Sequence, residues 1–118
     1  MRAYQEGFMT LGEKQRRFMP MVAELIEYAY SNGYELTLGD GYRDPRLHGQ
    51  VGEKKGYGHP KSAHKQRLAI DLNLFKGGVY LTDGSGHDVL HDYWDTLGGA
   101  PRIPHDLNHY SLEYGGIR

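Results

Sequence analysis

The stretch that most constrains this chain is residues 68–75, where Leu68, Ile70, Leu72 and Leu74 alternate with Ala69, Asp71, Asn73 and Phe75. A repeat of two puts the four aliphatic side chains on one face of a β-strand and the others on the opposite face. The aliphatic face must be covered by another layer. The opposite face carries an acid in mid-strand, which either meets bulk water or lines a cleft. His64 lies seven positions before Asp71, across a short non-strand segment that could fold the imidazole back beside the carboxylate.

Flanking segments supply the covering layer. Thr10-Leu11-Gly12-Glu13 has the spacing of a capping box, which starts a helix by satisfying backbone donors from both ends. Phe18, Val22, Leu25, Ile26 and Ala29 follow as an apolar stripe, ended by Asn32-Gly33. Pro20 removes one backbone donor inside that stripe, so a kink or a helix restart is expected there. Residues 34–38 alternate as a strand, and Gly39-Asp40-Gly41 closes it just ahead of Arg43. Residues 45–61 are rich in Gly, Lys, His and Pro; at most 45–53 form a short helix, and 54–61 read as a mobile basic loop in which Lys54, Lys55 and Lys61 meet solvent. After the central strand, Lys76-Gly77-Gly78 turns the chain into a returning strand at 79–82. Ser85 is a candidate cap for a helix over 87–97, with Val89, Leu90, Tyr93, Trp94 and Leu97 on its apolar side and Gly98-Gly99-Ala100-Pro101 as its stop. Residues 108–114 alternate once more, Tyr110, Leu112 and Tyr114 against His109, Ser111 and Glu113.

The totals narrow the class. A chain of 118 residues suits one domain, 1–118, with no second core, no internal repeat and no linker. No stretch approaches the ~18 apolar residues of a membrane helix, so no membrane insertion is expected. A net charge of -1 gives no basic field to collect nucleic acid. With Cys 0, disulfides and thiolate metal sites are excluded, and any metal must be held by His and carboxylate. Residues 1–8 lack the apolar core of a secretory signal, so the chain is expected to be made and kept in the cytoplasm unless another agent releases it.

Three constellations could carry chemistry. His87 and His91 are four apart on an expected helix, a spacing that can chelate a metal, but the intervening general base of the helical zinc motif is missing and surface histidines are the ordinary reading. Residues 83–88 vaguely follow a calcium loop but lack its repeated acids and closing Glu, and read as a turn. His64 and Asp71 with Asp106-Leu107-Asn108-His109 form the third. Two imidazoles and one carboxylate around zinc leave a fourth position for water, whose pKa falls to ~7 there. A carboxylate three residues ahead of one ligand can act as general base on that water. A cation such as Arg43, just beyond a strand end, can stabilise an oxyanion; a surface ion pair with Asp40 or Asp44 is the competing reading.

The run Ser62-x-His64-x-x-Arg67-x-Ala69-x-Asp71-Leu72 together with Asp106-x-x-His109 resembles the zinc peptidases of the D-Ala-D-Ala carboxypeptidase and phage L-alanyl-D-glutamate endopeptidase family. The likeness runs from about Glu13 to the end and includes Gly41-Tyr42-Arg43. It implies zinc ligands at His64, Asp71 and His109, a catalytic acid/base at Asp106, a transition-state cation at Arg43, and supporting roles for Ser62, which orients the site, and Glu113. Arg67 stands where the family has Gly, and Asp106 is the acid of the phage endopeptidase branch where the carboxypeptidases have Glu. The resemblance therefore implies a bacteriophage-type endolysin in cell wall degradation. Such an enzyme is made in the host cytoplasm and reaches the wall after a holin opens the membrane.

The expected architecture is α+β, a long N-terminal helix packed on a small antiparallel sheet, with a zinc cleft on the polar face of the 68–75 strand. The expected activity is a monomeric zinc metallopeptidase that cuts the peptidoglycan stem peptide, foremost at the L-Ala-D-Glu bond, without a separate wall-binding domain. Cleavage of terminal D-Ala-D-Ala is the first alternative, and a zinc-stabilised wall-binding module without turnover is the second.

Overall fold

A computed structural model of the protein describes residues 9–118, so the stretch read above for a secretory signal lies outside the described residues. Helix α1 (Leu11–Ser31) opens with the capping box: the Thr10 hydroxyl accepts from the Glu13 N–H at 3.2 Å, and the Glu13 carboxylate accepts from the Thr10 N–H at 3.2 Å. Phe18, Val22, Leu25 and Ala29 are buried as expected, but Met21 completes the stripe while Ile26 is largely exposed. Ile26 sits roughly 80° around the axis from Phe18 at 100° per residue, at the edge of the contact face. Pro20 neither breaks nor restarts the helix, which is continuous through it. Both Pro20 and Arg16 are exposed, so the carbonyl that the missing N–H would have bonded is in reach of water.

Strand β1 (Tyr34–Leu38) pairs antiparallel with β2 (Ala69–Lys76), Leu36 opposite Leu74 and Leu38 opposite Leu72. The other edge of β2 is shared by β3 (Val79–Tyr80), paired at Phe75 and Lys76, and by β4 (His109–Ser111), paired at Ala69 to Asp71. Both outer strands are shorter than their alternating patterns, although the Leu112 N–H still bonds the Leu68 carbonyl at 2.9 Å. The result is the α+β arrangement expected, with the long helix laid on a small antiparallel sheet.

Leu68, Leu72 and Leu74 of the aliphatic face are buried with the α1 stripe and with Leu90 and Trp94 of α3 (Ser85–Thr96). Phe18 meets Trp94 edge to face, ring centroids 5.8 Å apart. Helix α3 begins at Ser85 itself, not after it; Asp83 is the residue that reaches back, accepting from the Ser85 N–H at 2.9 Å and from its hydroxyl. At Gly99 a Cβ would overlap the Trp94 indole, so the stop after α3 needs glycine for contact as well as for its turn.

Residues 45–61 are more ordered by contacts than their composition foretold. A single turn, α2 (Pro45–His48), is capped by Asp44, whose carboxylate accepts from the Arg46 N–H at 2.8 Å. Lys65 then holds the carbonyls of His48, Gln50 and Glu53 at 2.8, 3.2 and 2.6 Å. In the part expected to be a mobile basic loop, Lys54 bonds the Gly58 carbonyl at 2.6 Å and Tyr57 donates to Asp40 at 3.1 Å, while Lys55 and Lys61 are exposed as expected.

Candidate metal centre

Local backbone geometry aims His64. Residues Ala63–Gln66 form a 3-10 turn, capped by Ser62, whose hydroxyl accepts from the His64 N–H at 3.2 Å. The His64 ring lies fully inside and its Nδ1 is 2.7 Å from the Gly41 carbonyl. A carbonyl only accepts, so Nδ1 carries the proton and Nε2 presents a lone pair. The chain leaves the turn at Arg67 in the left-handed region, φ 59 and ψ 32. Glycine adopts that conformation at least cost. In this chain the arginine keeps the turn and lays its guanidinium 4.2 Å over the Tyr42 ring.

Register places the other two groups. Asp71 and His109 are directly opposite in the β2–β4 pair, so their side chains leave the sheet together on the face away from the leucines. His64 Nε2 is 3.1 Å from Asp71 Oδ1 and 3.2 Å from His109 Nδ1, and His109 Nδ1 is 3.4 Å from Asp71 Oδ1. Tetrahedral zinc with ligand bonds of about 2.0–2.1 Å spaces its ligands about 3.3 Å apart, so the three atoms stand as one face of such a tetrahedron. The bare His64 Nε2 faces a carboxylate oxygen, two acceptors that repel unless a cation or proton stands between them. His109 Nδ1 faces both of these acceptors, while its Nε2 is buried without a hydrogen-bond partner. Burial alone would raise the Asp71 carboxyl, but the close approach of His109 and His64 to it outweighs burial and holds Asp71 well below the usual carboxylate range. An ionised carboxylate with two convergent imidazoles is a group that can hold a metal ion.

The remaining expected residues surround this group. A pocket of about 580 Å³ is lined by His64 and His109 and also by Arg43, Ser62 and Asp106. Asp106 Oδ2 lies 3.9 Å from His109 Nδ1, with the side chain half exposed. Arg43 bonds Asp40 through Nε at 3.3 Å and the Ser62 hydroxyl through a terminal nitrogen at 3.0 Å. It therefore makes the surface-type ion pair and also reaches the pocket. The Ser62 hydroxyl thus accepts from both the His64 N–H and the Arg43 guanidinium. Glu113 does not line the pocket: its carboxylate accepts from the Gly116 N–H at 2.6 Å, and Gly116 is part of the wall.

Six residues contribute in ways that escaped the sequence reading. Gly41 supplies the carbonyl that sets the His64 tautomer. At Gly39 a Cβ would stand 3.0 Å from both Cβ and carbonyl oxygen of Asp71, so a larger residue at the strand end would press on Asp71 and shift it. His59, Lys61, His105 and Arg118 join Arg43 on the pocket wall against the single acid Asp106. Gly39-Asp40-Gly41 was legible as a strand closure, and Gly41 as part of the resemblance, but neither reading assigns its carbonyl a role.

The helical pair of histidines is buried rather than on the surface. His87 Nδ1 lies 2.7 Å from the Tyr110 hydroxyl, and His91 Nε2 is 2.8 Å from the Leu107 carbonyl, its ring stacked on Tyr110 at 4.2 Å. Burial pushes both pKa values down, so the rings are neutral at pH 7. Among the described residues they form no metal-holding group of three, and the Asp83 carboxylate is engaged by the Ser85 N–H and hydroxyl. Scanned against protein-family models and searched against curated proteins, the chain finds no match, so the resemblance rests on the motif residues alone.

Proposed function

We propose that the protein is a zinc-dependent peptidase of the peptidoglycan stem peptide, cutting the L-Ala-D-Glu bond. The observation that carries this reading is the approach of His64 Nε2, Asp71 Oδ1 and His109 Nδ1 to within 3.1–3.4 Å, beside a pocket whose wall includes Asp106 and Arg43. His64, Asp71 and His109 would hold the zinc, which would supply there a water nucleophilic near neutral pH and a Lewis acid for the scissile carbonyl. Asp106 takes the proton of the attacking water and returns it to the leaving amine, since a carboxylate adjoining His109 can address both positions. Arg43, braced by Asp40 and Ser62, faces the charge that develops on the carbonyl oxygen. His64 and Asp71 do no proton chemistry, being fixed by Gly41 and by the β2–β4 pairing.

Mass spectrometry of soluble products from Gram-negative peptidoglycan tests this reading, comparing the zinc-loaded chain with its Asp106→Ala variant. Peptides that begin at D-Glu, absent with the variant, are the expected result. Release of free D-Ala would move the activity to a carboxypeptidase. No product from the zinc-loaded chain would leave a wall-binding module.

A further inference from the structure

Helix α3 carries three buried side chains one and two turns apart, His87, His91 and Trp94, and each contacts the segment that bears Asp106 and His109. His87 meets the Tyr110 hydroxyl at 2.7 Å, His91 the Leu107 carbonyl at 2.8 Å, and Trp94 donates to the Ser111 carbonyl at 3.0 Å. The His91 contact is the one next to Asp106. The Asp106 carboxylate makes no hydrogen bond among the described residues, so its backbone decides where it stands. That backbone is held by the Asp106 N–H to the Ile103 carbonyl at 2.9 Å and by the His109 N–H to the Asp106 carbonyl at 3.1 Å, and the turn between them is held to α3 by His91 at the Leu107 carbonyl.

The choice of histidine needs a reason. To donate to Leu107, His91 must carry its proton on Nε2, which leaves Nδ1 as a bare acceptor, and that atom is buried without a partner. A phenyl ring would fill the same space and stack on Tyr110 without an orphaned nitrogen. What imidazole adds is the bond to Leu107. We infer that His91 is a positioning residue, its Nε2–H gripping the Leu107 carbonyl so that the Asp106 carboxylate stands beside the His64–Asp71–His109 group. This rests on the catalytic role proposed for Asp106.

The test compares His91→Phe, which keeps the stack and loses the donor, with His91→Gln, whose amide N–H reaches to about where Nε2 was. Zinc affinity is measured by chelator competition, kcat and KM on a stem-peptide substrate, and amide exchange at Asp106 and His109 on the metal-free chain. His91→Phe is expected to keep zinc affinity and KM, to lower kcat about 10- to 100-fold, and to speed exchange at both amides; His91→Gln recovers most of each. Wild-type exchange in His91→Phe, or a loss of kcat that Gln does not relieve, overturns the inference. Should His91→Phe not fold, His91→Met takes its place. If the zinc-loaded wild type turns over no substrate, the peptidase reading falls, and the exchange rates alone decide whether His91 holds the loop.

Discussion

At Arg67 the backbone is left-handed, φ 59, in a residue that has a Cβ. Holding a non-glycine residue there costs about 1 kcal/mol, while glycine loses a comparable amount of freedom on folding. Arg67→Gly should therefore shift stability by less than about 1 kcal/mol, read by urea denaturation, and leave zinc binding unchanged. The same separation of roles applies within the site. His64→Ala and Asp71→Ala remove donors and should abolish zinc binding and turnover together. Asp106→Ala should keep zinc at one ion per chain and lower kcat about 10²- to 10⁴-fold; full activity in that variant would remove Asp106 from the chemistry. The face that Asp71 shares with the candidate metal group was readable because strand alternation fixes it. Gly41 was not, because its carbonyl reaches His64 across 23 residues of chain and sequence spacing carries no trace of that contact. Lys14 was missed for the same reason: its ammonium is buried against the Glu113 carbonyl, 99 residues away.

Helices and strands differ in how plainly they announce their ends. The capping box of α1 is local and was read correctly, whereas the alternation at 108–114 continues past the three residues that pair as β4. Alternation reports which side is buried, not whether a partner strand runs alongside. Within α1, Pro20 leaves the Arg16 carbonyl without its helical donor; Pro20→Ala restores that bond and should stabilise the chain by about 1–3 kcal/mol, seen as a higher Tm. Helix α3 has its own pH signature. His87 and His91 are neutral in the fold with pKa values lowered by burial, while in the unfolded chain they titrate near 6.5. The unfolded state then binds more protons below that value, so their contribution is complete above about pH 6.5 and declines as pH falls through the folded pKa. Thermal melts between pH 7.5 and 5 should show this loss, and His91→Gln should flatten it.

For the molecule as a whole, one apolar layer and one polar face divide the work. Helices α1 and α3 bury the leucines of β2, and the opposite face of the same strand carries Asp71 beside His64 and His109. The division was legible from eight alternating residues, but the docking of 45–61 was not, since it depends on Lys65 collecting three carbonyls from a loop with no pattern of its own. Folding builds the three-donor group, so metal should bind the native state in preference to the unfolded one and stabilise it by mass action, by about 2.7 kcal/mol at 100 times Kd, seen as a higher Tm. Chelator should reverse the gain. The most direct test of the whole account is anomalous diffraction at the zinc edge from crystals of the chain loaded with one equivalent of zinc. The account predicts one peak about 2.0–2.2 Å from His64 Nε2, Asp71 Oδ1 and His109 Nδ1. A peak at His87 and His91, or none at the three-residue group, would contradict it.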